Sequence, residues 1–139
     1  MNEKIFSLGM DGWWLDATEP EIFDNDRKLN QATYLGVYRK YFNAFPIVTV
    51  GSIHDNQRAV NSDKRVFILT RSAFAGQQRY GANSWSGDIV STWDVLRKQI
   101  PAGLNFSICG IPYWNADIGG FHARTYPEGI KDPAFHELY

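Results

Sequence analysis

The chain has 139 residues, long enough for one compact domain and too short for two of ordinary size. With 14 basic and 15 acidic residues its formal charge is -1, so it lacks the field that draws a polyanion, and neither nucleic acid nor an anionic membrane is an expected partner. The single cysteine excludes an internal disulfide, and with three scattered histidines it forms no zinc-ligand spacing, so no metal is expected.

Apolar residues make up 44% and charged residues 21%, which is the composition of a folded globular protein. The aromatic content, 15%, is high; part of it must line a core, and part suits a surface that stacks on a flat ligand such as a sugar or a base. No run of about 20 apolar residues is present, and MNEKIFSLG carries no signal-peptide pattern, which leaves the compartment open if the chain is a piece of something longer.

Residues 3–9 read as the end of a short helix, with Ile5, Phe6 and Leu8 apolar and Gly9 as its stop. GMDGWWLDA then reads as a buried parallel strand that ends abruptly in acid and proline, with Asp16 at its carboxyl end. Residues 20–45 are polar, then aromatic, and are expected to form an excursion with some helix. PIVTV at 46–50 has the β-branched content of a strand, yet the apolar spacing through Val60 also traces a helix face.

VFILT at 66–70 is the clearest strand, entered through the turn-like NSDKR. From Gly87, the spacing of Ile89, Val90, Trp93, Leu96 and Ile100 is that of an amphipathic helix, and Pro101 can open a second helical segment running to Gly110. IPYWNAD reads as another strand. The order strand, helix, strand, helix, strand predicts parallel α/β structure.

Each of the three strands ends in polar or charged residues, WWLD-ATE, FILTR-SAF and PYWNAD-IGG, at the end where parallel α/β folds hold their ligands. GWWLDATEPE, RSAFAGQQRYGANSWSGD and NADIGGF, in that order, resemble three successive blocks of the catalytic domain of glycoside hydrolase family 31, the α-glucosidases and α-xylosidases. The resemblance implies a partial (β/α)8 barrel, from about the end of its third helix to just past its sixth strand, and it makes 46–60 a helix.

The resemblance further implies that Asp16 is the nucleophile and Asp88 the acid/base of a retaining α-glycoside hydrolase. They stand 72 positions apart in the chain and have to meet across one anomeric carbon, with carboxyl groups roughly 5–5.5 Å apart. Trp14 and Trp85 resemble the walls of the sugar pocket, where a flat ring covers the C–H face of a pyranose. Arg79 and Asp117 resemble residues that hydrogen-bond sugar hydroxyls, Phe121 closes the same region, and Glu19 resembles the acid that supports the nucleophile.

Trp14 would serve equally well as core. Arg71 reads better as a structural ion-pair partner than as a ligand, since a buried arginine needs a carboxylate. Glu21 has no assigned role and reads as a solvated loop residue, and His54, His122 and His136 read as surface or loop residues.

WLDATE departs from the W-x-D-M-N-E pattern of many α-glucosidases and is more similar to the α-xylosidase side of the family. The expected substrate is therefore an oligosaccharide carrying α-linked xylose, of the xyloglucan type, and no cofactor is implied. The alternatives are an α-glucosidase or α-transglucosylase on the same scaffold and a non-catalytic carbohydrate-binding module. A few barrel strands without their neighbours would also expose edges, so self-association of the piece is expected, with little or no glycosidase activity on its own.

Overall fold

The computed structural model describes residues 2–20 and 25–122. Helix α1 (Asn2–Ile5) tightens into a 3-10 turn at Phe6–Leu8, and Gly9, at φ 92°, ends it in a left-handed conformation that favours glycine. Strand β1 (Trp13–Leu15) follows. The excursion contains α2 (Asn25–Leu29), then a hairpin of β2 (Ala32–Thr33) and β3 (Gly36–Val37), then 3-10 turns at Tyr38–Lys40 and Phe42–Ala44.

Residues Phe45–Val60 form one helix, α3, which resolves the ambiguity of PIVTV in favour of the helix. Pro46 sits in its first turn, where the missing N–H costs nothing, and Val50, Gly51 and Gln57 lie buried along it. Its β-branched residues are overruled by packing, the usual fate of a weak local preference. After α3, the Asn61 side chain accepts hydrogen bonds from the amides of Asp63 and Lys64, and this turn leads into β4 (Ile68–Thr70).

A short 3-10 turn at Gln77–Tyr80 leads to β5 (Ala82–Trp85), then α4 (Trp93–Ile108) and β6 (Trp114–Asn115). The sheet is parallel throughout, in the order β1-β4-β5-β6, with Trp14 beside Leu69 and Leu69 beside Asn83. It therefore has four strands where the pattern predicts three. The unpredicted β5, ANSW, lacks β-branched residues and sits in the sheet because strands flank it on both sides.

The helix after Gly87 also differs from expectation. Ile89 and Val90 precede it, Thr92 caps it by accepting from the Val95 amide, and Pro101 lies inside a single continuous helix instead of opening a second one. Ile100 is 65% exposed; the helix meets the sheet instead through Gly103 and Phe106, which pack on Trp114. A Cβ at position 103 would sit 2.7 Å from the Trp114 ring, so this close approach needs glycine.

The core lies between the sheet and α1 and α3, and consists of Phe6, Trp13, Val50, Ile68 and Ala82 with Met10, Leu15, Ile53, Val66 and Tyr80 around it. Polar groups inside it are paired. The Trp13 indole N–H donates to Gln57 at 2.8 Å, and Gln57 donates in turn to the Arg65 carbonyl, which ties α3 to the strand ends. Gln77, fully buried, donates to Ser84 of β5 at 2.6 Å. The opposite face of the sheet is open: Trp14, Phe67 and Tyr113 are all more than half exposed, and β1 and β6 are free edges among the described residues. No helix among the described residues is long and apolar enough to cross a membrane.

Candidate active site

The carboxyl ends of the four parallel strands share one open cleft of about 790 Å³, lined by Trp14, Asp16, Leu69, Trp85, Asp88 and residues of the stretch after β6 that include Asp117 and Phe121. Six of the expected sugar-site residues meet there: Trp14, Asp16, Trp85, Asp88, Asp117 and Phe121. Trp14 and Trp85 stand with ring centroids 6.3 Å apart and planes tilted by 56°, Trp85 buried and Trp14 71% exposed.

Local backbone geometry sets each acid. Asp16 follows the last residue of β1, and the chain turns at once, because Ala17 is in the left-handed region at φ 50° and its amide donates to Asp16 Oδ1 at 2.8 Å. Asp88 follows Gly87, at φ 74°, where a Cβ would come within 3.3 Å of the Arg71 side chain. Asp117 lies in the loop after β6, whose turn closes when the Gly120 amide donates to its carbonyl. The Phe121 and His122 amides both donate to the Ile89 carbonyl, which draws the segment after Asp88 against the segment after Asp117.

Arg71 organises the acids. It follows β4, between the strands that deliver Asp16 and Asp88, and donates to both oxygens of Glu19, at 3.1 and 2.5 Å. One of its terminal nitrogens lies 3.3 Å from Asp16 Oδ1 and 3.6 Å from Asp88 Oδ2. Those two carboxylate oxygens are therefore no more than about 6.9 Å apart, the sum of the two contacts. The guanidinium donating to Glu19 holds that carboxyl below the usual range, and the same hydrogen bonds, with the charges of Asp16 and Asp88, raise Arg71. The expected ion-pair role of Arg71 is what the geometry displays, but its partners are the acids of the cleft.

Arg79 is the exception among the expected residues. It belongs to the 3-10 turn before β5, its Nε donates to the Gly76 carbonyl at 3.1 Å, and its guanidinium lies over the Tyr80 ring, exposed and away from the residues lining the cleft. The arginine nearest the acids is instead the one directly after a strand; its position at a carboxyl end, opposite two acid-bearing ends, is the signal that singles it out. His54 and His122 lie outside the cleft lining, His54 half-buried against Tyr80 and bonded to Asp55. Glu21 and His136 fall outside the described residues.

Parallel strands that carry paired acids, aromatic rings and an arginine to one cleft at their carboxyl ends make up the ligand-binding end of a barrel of alternating strands and helices. The chain belongs to glycoside hydrolase family 31: the family's TIM-barrel domain matches residues 1–139. It is 50% identical over 127 residues to an alpha-xylosidase of Saccharolobus solfataricus, covering 84% of this chain and 16% of that protein. To an alpha-glucosidase of the same organism it is 34% identical over 148 residues, covering 88% of this chain and 21% of that protein. Its fold superimposes with a TM-score of 0.83 on a GH31 alpha-xylosidase from a soil metagenome complexed with xylose, at 39% identity, covering 99% of this chain and 19% of that one. The chain thus spans about a fifth or less of the length of these relatives, all of them glycosidases by name.

Proposed function

We propose that this chain is the central part of the catalytic barrel of a retaining α-xylosidase, with Asp16 as nucleophile and Asp88 as acid/base. In the first step the Asp16 carboxylate bonds to the anomeric carbon as the glycosidic C–O bond breaks, and the Asp88 carboxyl gives its proton to the departing oxygen. In the second, Asp88 takes a proton from water, the hydroxyl bonds to the anomeric carbon, and the ester to Asp16 breaks. Arg71 counters the charge that Asp16 regains.

The observation that carries this reading is the single Arg71 nitrogen within 3.3 Å of Asp16 and 3.6 Å of Asp88, at the mouth of a cleft walled by Trp14, Trp85 and Phe121. An oxygen-to-oxygen separation of no more than about 6.9 Å admits the roughly 5–5.5 Å spacing of a retaining pair. In this reading the rings bind the sugar and Asp117 bonds its hydroxyls. Xylose over glucose is supported by the higher identity to the named α-xylosidase than to the named α-glucosidase, 50% against 34%. An α-glucosidase with the same pair of acids is the second reading.

The test uses the full-length polypeptide that carries this segment, treated with a slow fluorinated α-xylosyl substrate and mapped by peptide. Label on Asp16 is expected; turnover without label on Asp16 refutes the assignment, and binding with neither turnover nor label favours a carbohydrate-binding module. Comparing xylosyl with glucosyl aryl substrates decides the sugar.

A further inference from the structure

Between the nucleophile and its supporting acid stands Thr18, a residue with no part in binding sugar. It is 5% exposed and does not line the cleft. Its Oγ1 accepts a hydrogen bond from Ser72 Oγ at 2.8 Å and shares another with Thr70 Oγ1 at 2.7 Å. A hydroxyl has one proton to give and can accept more than one, so Ser72 donates to Thr18 while Thr18 and Thr70 share the second bond.

The placement of these hydroxyls is specific. Thr70, the last residue of β4, and Ser72 flank Arg71, and Thr18 is flanked by Ala17 and Glu19 on the loop after β1. Each of the two segments thus sets a hydroxyl next to a charged side chain, Thr18 beside Glu19 and Thr70 and Ser72 on either side of Arg71. The charged layer is Arg71 with Asp16, Glu19 and Asp88; the layer below is Thr18 with Thr70 and Ser72. Ion pairs between partly exposed groups are loose and screened, and they do not by themselves fix a carboxylate to a fraction of an ångström. The Thr18–Thr70 bond at 2.7 Å is buried, with no water to exchange with, and Ser72 at 2.8 Å closes the clasp from its half-buried end. Ala17, between Asp16 and Thr18, is itself in the left-handed region at φ 50°, a costly conformation for a non-glycine residue that persists only where the surrounding structure holds it.

We infer that Thr18 is a positioning residue: its hydroxyl, clasped between Thr70 and Ser72, sets the distance of Asp16 from Arg71 and from the anomeric carbon. This rests on the reading of Asp16 as nucleophile. It also gives the threonine of WLDATE a physical task, since valine has the same shape and no hydroxyl, whereas serine has the hydroxyl without the methyl.

The experiment compares Thr18→Val and Thr18→Ser in the full-length polypeptide carrying this segment, with kcat and KM measured on an aryl α-xyloside and folding checked by circular dichroism. Expected are a fall in kcat of about tenfold or more for Thr18→Val with KM within about twofold, since a small misplacement of reacting groups is costly in rate, and recovery to within about threefold for Thr18→Ser. Unchanged kcat in Thr18→Val, a change confined to KM, or a serine variant as slow as the valine variant overturns the inference. Should Thr18→Val fail to fold, Ser72→Ala, at the half-buried end of the clasp, decides: a fall in kcat alone supports it and an unchanged kcat overturns it. If the wild-type polypeptide turns over without carrying fluorosugar label on Asp16, the nucleophile assignment itself fails, and this inference with it; a labelled wild type with an unaffected valine variant refutes the inference alone.

Discussion

Replacing Arg71 by methionine keeps most of the apolar stem and removes the cation that Asp16, Glu19 and Asp88 share. Two unit charges about 3.5 Å apart attract by roughly 5 kcal/mol at an effective dielectric of 20 and by about 1 kcal/mol in water. Side-chain exposures of 56% for Asp16, 41% for Asp88 and 43% for Glu19 put the cluster near the aqueous limit, so the two longer contacts are worth a few tenths of a kcal/mol each. The paired hydrogen bonds to Glu19 are the larger part, at about 1.5 kcal/mol after screening. A total near 2 kcal/mol lowers the midpoint of thermal unfolding of a chain this size by about 6 °C. The loss depends on pH with a definite sign. Glu19 has its carboxyl lowered from 4.5 in the folded chain, so the stabilisation is complete above that value and disappears as pH falls through the lower folded one. Thermal unfolding of wild type and Arg71→Met, followed by circular dichroism at pH 7 and at pH 3, should therefore show a gap at pH 7 that is smaller at pH 3. An equal gap at both values would mean that the stem and not the charge is responsible, and no gap at either would mean that the cluster is not held in solution.

Glu19→Gln should reproduce most of the Arg71→Met loss at pH 7 and flatten the acid side of the stability profile; a variant with the wild-type slope below pH 5 would contradict the assignment of that slope to Glu19. Gln57→Leu leaves the Trp13 indole N–H and the Arg65 carbonyl without partners and should cost about 2–3 kcal/mol, read as a lower denaturant midpoint at unchanged slope. Adding Trp13→Phe should then cost less than it does in the wild-type background, and simple additivity would show that the indole bond contributes nothing. The open sheet face and the free edges β1 and β6 should make this chain self-associate at micromolar concentration, by light scattering; a clean monomer would refute that expectation. The chain alone should turn over an aryl α-xyloside far below the rate of the full-length enzyme, because the pocket of a barrel draws on the loops of all its strands.

Some of the fold was legible in the sequence because local chemistry and tertiary demand agree. Gly9 stops a helix for the reason glycine usually does, and WWL and ILT are strands because an unbroken apolar run between turn residues has few other uses. Elsewhere the two disagree. PIVTV has the residues of a strand and became a helix, ANSW has those of a loop and became a central strand, and Pro101 remained inside the helix it was expected to begin. In each case packing against neighbours far along the chain outweighs a preference worth only tenths of a kcal/mol per residue.

The sequence by itself determined that Asp16 and Asp117 follow strands, because residue order alone places a given side chain at the end of each apolar run. It did not determine that Trp85 ends a strand and Asp88 follows it, because ANSW is not an apolar run. It could not determine which arginine those acids face. Arg71 and Arg79 both come after the second apolar run within ten residues, and only the tertiary structure sets one against Asp16 and Asp88 and turns the other onto Tyr80. The reason is that spacing along a strand or helix is set by covalent geometry, whereas the meeting of β1, β4 and β5 side by side, and the hydroxyl clasp beneath their acids, depend on burial of a shared core that no short window of sequence contains.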